Sequence, residues 1–571
     1  MEEPTSQKSI IIIGAGIAGL AAGCYGQMNG YRTHIFELHD KPGGLCTSWK
    51  RKGYTFDGCI HWLVGTRPGS PFNRIWQELG ATQGRQIVDH DEFMRIEGES
   101  GKAFVLYTDV DRLEHHMKEL APQDTAVIEE FCRALRLLSD VMGGPAGPPA
   151  RSPRPGGAPP ARSPRPEGAP PARSPRPGGA PPARSPRPGG APPARSPRPG
   201  GALPGLLSGM RRAFKILPFL WTMRKYSKVS LQDFAARFGD PFLRQAFGDV
   251  FDMPDFPMVA LLFTLALMHN HDAGYPIGGS LAFSQAIEHR YLDLGGQIHY
   301  RSRVDKILVE ESPLPASGRG RGRVPRAAGV RLANGEEHRA DVIISAADGH
   351  ATIFDMLEGQ YINDKIRGYY ADLPIFPPIV QVSLGVARDL ADQPHSVTYP
   401  LAEPIVVSGQ PRHNLGMRHF CYDPTIAPAG KSVIVVMFES TYDYWKELAE
   451  ERERYEAEKK QIALAVMDRL EQRFPGLSGQ VEAVDVATPL TTERYTGNWQ
   501  GSMEGWLITT KTMGMTMGKG MSKTLPGLDN FYMTGQWVEP GGGVPTAAQS
   551  GRKVVQMICR RDKKRFVAQV P

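Results

Sequence analysis

Four β-branched residues in a row, Ile10–Ile13, show no alternation and read as a short parallel strand buried on both faces. The small and apolar run from Ala18 to Gln27 suits a helix packed closely on a sheet, and Thr33–Phe36 gives a second strand. Far along the chain the pattern changes to alternation. "GGQIHYRSRVDKILVE" and "AAGVRLANGEEHRADVIISAAD", with an Asn334-Gly335 turn, predict a β-meander returning to a buried strand at Val342–Ser345. Phe531–Thr534 reads as another strand and Gly535 as a turn. Gly541-Gly542-Gly543 then reads as a loop opening a helix from about Pro545, a residue suited to a first helical turn. Residues 446–474 form a charged amphipathic helix whose charge run is a solvated face. The eleven residues of "MVALLFTLALM" at 258–268 fall short of a membrane span.

With 571 residues the chain has room for two or more domains. Its formal charge of +7 would suit a polyanion-binding protein, but that charge is unevenly held. Ala150–Pro204 contains five near-copies of the eleven-residue unit "ARSPRPGGAPP"; its ten Arg and one Glu give +9 and leave −2 for the rest. Charge therefore gives no support to a general nucleic-acid role. The repeat has no apolar period with which to build a core, and its Pro and Gly content predicts a disordered, partly extended tract. Two readings stand for it: an Arg-Pro arm for acidic lipids or proline-reading domains, or a repeat expansion tolerated in a surface loop. "SGRGRGRVPR", Ser317 to Arg326, reads as a long hairpin loop. Six cysteines are scattered with no CxxC, which fits a reducing compartment and argues against structural zinc. The first strand begins within ten residues of Met1, leaving no room for a cleaved signal.

Gly14, Gly16 and Gly19 give GxGxxG directly after the first strand, and Glu37 closes the second strand 21 residues after Gly16. Strand, glycine turn, helix, strand and terminal acid at these spacings point to a bound dinucleotide. Its pyrophosphate would rest on the helix N-terminus, and the acid would accept hydrogen bonds from ribose hydroxyls. Glu37 would repel a 2′-phosphate, which leaves NAD and FAD open. Pro42-Gly43-Gly44 adds a second side-chain-poor turn, where backbone again passes close to something bulky. Flavoproteins often need such a turn there.

These pieces together resemble the flavin-dependent phytoene desaturase family, which includes carotenoid desaturases, carotenoid isomerases and retinol saturases. The resemblance rests on "GAGIAGLAAG", "KPGGLCTSWKRKGYTFDGC", "YPIGGSLAFSQAIEHRYLDLGGQIHYRSRVDKI", "ADVIISAAD" and "TGQWVEPGGGVPTAAQSG". It implies an α/β fold: an FAD-binding Rossmann-type domain assembled from separated segments, plus an α+β substrate or cap domain. The FAD-binding parts would be 1–75, 286–358 and 521–571. A substrate or cap region would occupy 76–143, the repeat tract 144–204, cap helices 205–285 and the substrate domain 359–520. The resemblance also implies FAD, with its pyrophosphate on Gly14, Ala15, Gly16 and Gly19, ribose on Glu37 and adenine beside Val304. Flavin contacts would come from Gly43, Gly44, Gly535, Gln536 and Val544. Two positions depart from the pattern: Leu45 stands where many relatives carry arginine, and Gln536 where an acid or small residue is common.

The implied activity is that of an FAD-dependent oxidoreductase acting on a hydrophobic polyene or isoprenoid, carotenoid- or retinoid-like, by hydride transfer at carbon through flavin N5. Desaturation, saturation and flavin-assisted isomerisation stay open. The alternatives are a flavin amine oxidase-like enzyme and a non-catalytic FAD-binding interaction protein. His61 and Asp57, in "FDGCIHWLVG", follow the second glycine turn and are placed to approach the flavin. His61 would shuttle a proton or be a hydrogen-bonded core histidine. Glu539, beside Trp537, is a second acid–base candidate. His115-His116 reads as a helix-surface pair. His269-Asn270-His271-Asp272 has no further cluster at ligand spacing, so no metal is expected.

"GLLSGMRRAFKILPFLWTMRKYSK" (205–228) carries six Lys/Arg and no acid, with Leu206, Met210, Phe214, Leu217 and Trp221 on one helical face and a kink at Pro218. It is either a membrane-surface helix or a cap helix packed on the core with its cations in water. A substrate that dissolves in bilayers favours the first. The expectation is a cytoplasmic protein, peripheral to a membrane, with no nucleic-acid partner.

Overall fold

The computed structural model describes residues 7–99, 101–143, 217–251, 253, 255–313, 323–516, 520–541 and 543–571. The repeat tract, Leu206, Met210, Phe214, Gly542 and positions 317–322 of the basic segment lie outside the described residues.

Strand Ser9–Ile13 is the middle strand of a five-stranded parallel sheet. The order is Gln297–His299, Arg32–Phe36, Ser9–Ile13, Val342–Ser345, Phe531–Met533. The unbroken isoleucine run follows from this position, because alternate side chains feed two separate cores. Ile10 and Ile12 pack with Leu20, Ile287 and Val555 on one face. Those partners come from helices Ile17–Met28, Gly279–Asp293 and Gly543–Arg561. Ile11 and Ile13 pack with Val304, Ile307 and Val330 on the other. That second layer is the meander Val304–Pro313, Arg323–Leu332, Glu337–Arg339. Its turn is closed by Gly335, whose N–H donates to Leu332 O at 2.9 Å. The basic segment departs from the expected loop: Arg323–Arg326 are strand, with Arg323 opposite Pro313.

A second sheet has seven strands in the order Val481–Ala487, Ile379–Val386, Ser432–Glu439, Gln410–His419, Ser396–Val407, Glu92–Glu97, Ala103–Tyr107. Its last two strands come from the 76–143 region, so that region and 359–520 share one sheet. Val382, Leu415, Val436 and their neighbours on one face pack against Ile462, Val466 and Leu470 of helix Arg452–Arg473. Within the expected 446–474 helix, 446–448 belong instead to a separate short helix, Tyr442–Leu448, and 449–451 form the turn between the two. The boundary drawn at 285/286 falls inside helix Gly279–Asp293, whose Tyr291 hydroxyl donates to Thr33 O at 2.8 Å and so belongs to the first sheet.

Helices Val110–Leu120, Thr125–Gly143, Pro241–Gly248 and Met258–His269 build a further core around Phe131, Phe234 and Phe247. Met258–His269 is apolar on all sides. Met258, Leu261, Leu262 and Leu265 are buried in this core. Ala260, Phe263, Thr264 and Leu267 face a cavity instead. No helix among the described residues is long and apolar enough to cross a membrane. In the described helix 217–226, Met223 and Tyr226 are buried whereas Leu220 and Trp221 are more than half exposed. Arg224 and Lys228 are exposed as well. Leu217 is also exposed.

Candidate active site

The two glycine turns meet. Gly14 N–H donates to Phe36 O at 2.8 Å, and Gly43 N–H donates to Ala15 O at 2.9 Å. Glu37 sits under them, nearly fully buried: one carboxylate oxygen accepts the Ala15 N–H at 2.6 Å and the other the His39 N–H at 2.8 Å. Burial pushes its carboxyl up, and these backbone donors pull the other way. The glycines divide their roles. A Cβ on Gly19 would lie 1.9 Å from Gly14 O, so this position serves turn-to-helix packing. A Cβ on Gly16 would meet nothing nearer than Gly43 O at 3.9 Å, although Gly16 sits in the middle of the cradle. Space that the protein leaves beside Gly16, and no side chain capping helix Ile17–Met28, fit a pyrophosphate resting on that N-terminus.

A cavity of about 1350 Å³ runs on from this cradle. Glu37 and Val304 line one end, followed by Gly43, Gly44, Gly535, Gln536 and Val544. It then passes between the second sheet and the helical core, under Met94, Met142, Phe256, Phe263 and Leu267. Strand Gln410–His419 contributes Arg412, Asn414, Gly416 and Arg418 to this wall and Leu415 to the opposite core, while Met417 packs in that core and also reaches the cavity. Gln536, one of the two departures, donates through Nε2 to Asn498 Oδ1 at 3.1 Å, and Leu45 also lines the cavity.

The titratable candidates separate. His61 reaches the cavity wall; its Nδ1 is buried without a hydrogen-bond partner, and burial, then Arg418 and His395, hold it well below the usual histidine range. Asp57 is instead a latch: it accepts from Ser280 N and Oγ, each at 2.6 Å, and from Cys59 N at 3.0 Å. Glu539 does not line the cavity. It is held between Lys523 and Lys553, because the turn after Gly535, closed by Glu539 N–H on Gly535 O at 2.9 Å, carries it away.

A carboxyl that does face the cavity, and that the sequence does not mark, is Glu504. Among the described residues it has no hydrogen-bond or ion-pair partner, and burial alone pushes it up. The surface it exposes is cavity wall. Its Oε1 lies 3.2 Å from where a Cβ on Gly543 would stand, and its charge reaches the Cys59 thiol. Nothing periodic in "NWQGSMEGW" marks Glu504; only the flanking glycines signal a turn, with Gly501 and Gly505 at φ +63° and +78°. Asp348, beside the cradle, is a second buried carboxyl, pushed up to about 7 by burial although it accepts from Ala351 N and Trp499 N.

Other marked residues have local partners. His116 is half-buried, not a surface residue, because its Nε2 accepts from Val105 N at 3.0 Å; His115 is exposed. In the 269–272 stretch, His269 accepts from Val110 N, Asn270 donates to Ser139 O, His271 faces Asp89 and Asp272 accepts from Ser70 Oγ.

Residues 213–559 match the family described as flavin containing amine oxidoreductase, and residues 12–79 match the NAD(P)-binding Rossmann-like domain. A chloroplastic prolycopene isomerase of Arabidopsis thaliana is 26% identical over 52% of this chain and 47% of its own. The chain thus spans about half the length of that relative. A neurosporene-forming phytoene desaturase of Rhodobacter capsulatus is 22% identical over 96% of this chain and 93% of its own. Among solved structures, an oxidoreductase from Methanosarcina mazei shares the fold, with a TM-score of 0.53 at 16% identity, covering 96% of this chain and all of that one.

Proposed function

The chain belongs to the family of flavin containing amine oxidoreductases, and on that premise we propose that it acts on a hydrophobic polyene or isoprenoid, changing its unsaturation or double-bond geometry. FAD is its cofactor. When bound, FAD supplies hydride acceptance or donation at carbon. The observation that carries the substrate class is the cavity wall beyond the cradle, where Met94, Phe256, Phe263 and Leu267 offer apolar surface.

In this reading the turn Gly14, Ala15, Gly16 and Gly19 holds the pyrophosphate, Glu37 the ribose and Val304 the adenine. Gly43, Gly44, Gly535, Gln536 and Val544 form the bed of the flavin ring. The apolar wall excludes water and fixes the carbon chain. Glu504, whose burial favours the proton-bearing form, delivers or receives a proton at the substrate, a role that the sequence alone suggests for Glu539. His61, driven neutral by burial, offers an unprotonated nitrogen or a hydrogen bond rather than a cation. The exposed Leu220 and Trp221, with Arg224 and Lys228 beside them, support contact with an anionic bilayer from which such a substrate enters.

Extraction of the purified FAD-loaded protein, followed by mass spectrometry, tests the substrate class. Anaerobic mixing with polyenes, and separately with polyamines, should change the flavin absorbance only for the polyenes. A response to amines alone would overturn the reading.

A further inference from the structure

Arg418 stands near the end of strand Gln410–His419, on the face turned to the cavity, opposite Ser396 on one neighbouring strand and Val435 on the other. It also lines a small adjoining cavity of about 70 Å³, together with His61, His90, His395 and Tyr422. The side chain is partly buried, and it lines both cavities. Yet among the described residues it has no side-chain hydrogen bond, ion pair or ring contact. A partly buried charge that faces a cavity without a partner gives up hydration that an anion in the cavity would replace.

Among the described residues no carboxylate is paired with it. The carboxylates on the wall of the small cavity are already matched, Asp89 with His271 at 3.5 Å and Glu92 with Arg95 at 3.0 Å. Glu439 lines the main cavity but lies four residues along the neighbouring strand from Val435, about 13 Å away at the usual strand rise. The histidines are not competing cations. Burial lowers His90 to about 4 and holds His61 and His395 well below the ordinary range. His90 and His395 stack with ring centroids 3.9 Å apart, which also favours neutral rings. Their nitrogens remain available: His61 Nδ1 and His90 Nε2 are buried without partners.

Arg418 and two unpaired neutral nitrogens therefore lie together at this end of the cavity, about 20 Å of strand away from Arg412, the other guanidinium that this strand places on the wall. From this juxtaposition we infer that Arg418 receives the carboxylate end of an amphipathic substrate, its long unsaturated chain lying along the cavity toward the flavin bed. A guanidinium matches a carboxylate with two parallel hydrogen bonds and equal charge. A diphosphate would bring more charge than this single cation balances. The inference rests on the polyene reading above and narrows it from hydrocarbons to polyene acids.

The test uses the full chain loaded with FAD and equilibrium dialysis of four probes: a C20 polyene hydrocarbon, the corresponding primary alcohol, the corresponding carboxylic acid, and a C15 prenyl diphosphate. The acid should bind at least about 30-fold more tightly than the alcohol, as expected for a charge-assisted contact inside a cavity. Arg418→Met should abolish that preference while alcohol affinity stays within about threefold; Arg418→Lys should keep part of it. Should Arg418→Met fail to fold, the wild-type comparison and Arg418→Lys still decide. Equal binding of acid and alcohol, with both held, overturns the inference and leaves the polyene reading standing. Tighter binding of the diphosphate overturns it in favour of a phosphate end. Failure of all four probes removes the polyene reading, and this inference with it.

Discussion

The Glu37 carboxylate accepts the backbone N–H of Ala15 at 2.6 Å, tying the end of the second strand to the glycine turn after the first. In the proposed reading, the acid assigned to the ribose also fixes the turn on which the pyrophosphate would sit. Cradle geometry and nucleotide recognition would then be coupled through one side chain.

Gly16→Val should lose FAD and keep the fold. Gly16 has φ −65° and ψ 172°, a conformation valine adopts freely, and its new Cβ would enter open space. Gly19→Val should instead destabilise the chain with or without flavin, because its Cβ would collide with Gly14 O. The measurement is flavin-to-protein ratio together with the melting temperature of the apoproteins. Gly16→Val apoprotein should melt within about 3 °C of wild-type apoprotein. Stoichiometric FAD in Gly16→Val would sink the assignment of this turn.

Glu504→Gln should lower turnover by about 10²–10⁴-fold with flavin content unchanged, as for loss of a general acid or base. Glu539→Gln should leave turnover within a few-fold of wild type, since its partners are Lys523 and Lys553 rather than cavity groups. Steady-state rates with the substrate found by extraction separate the two. Equal losses in both variants would refute this division of labour between the two carboxyls.

Asp348 should make stability fall as pH rises. Its folded-state pKa, about 7, lies above the ordinary 3.8, so its contribution is fully present below 3.8 and lost as pH climbs through about 7. Other buried groups also respond to pH, and the difference between wild type and Asp348→Asn isolates this one. Melting curves at several pH values between about 4 and 8 should show a shallower decline on the alkaline side for Asp348→Asn. Parallel curves would mean that the carboxyl is ionised throughout.

Deleting Arg151–Gly201 should leave flavin content unchanged and the melting temperature within about 5 °C, because the tract offers almost no apolar side chains to a core. The deleted protein should still sediment with anionic liposomes at about 0.5 M salt, where attraction between exposed charges is screened. Changing Leu220 and Trp221 together to Ser should abolish that residual binding. Persistence of binding, with FAD still held, would place the membrane contact elsewhere.

The nucleotide half was legible because its rules are local. A buried parallel strand reads as an unbroken β-branched run, and a close phosphate contact demands glycine at a fixed place. Strand Val342–Ser345 fell at its predicted bounds for the same reason. The substrate half was less legible. The second sheet draws strands from 92–107 and from 379–487, and no local pattern announces that pairing. Glu504 and Arg418 acquire their character only when distant segments close around them. Glu539 misled for the opposite reason: its neighbours in sequence line the cavity, but a single turn carries it to two lysines.

Helix Met258–His269 and strand Gln410–His419 each divide their positions between packing and cavity wall. Replacing Phe263 or Leu267 reshapes the room offered to a ligand, whereas replacing Leu261 or Leu265 damages the packing that holds the helix in place. Drift at Leu267 can therefore retune which carbon chain is accepted at less cost to folding than drift at the second pair, while Phe263, which also packs against the core, stands between the two. An engineer seeking a new substrate range would leave the inward positions fixed and randomise the others, which the periodicity already names.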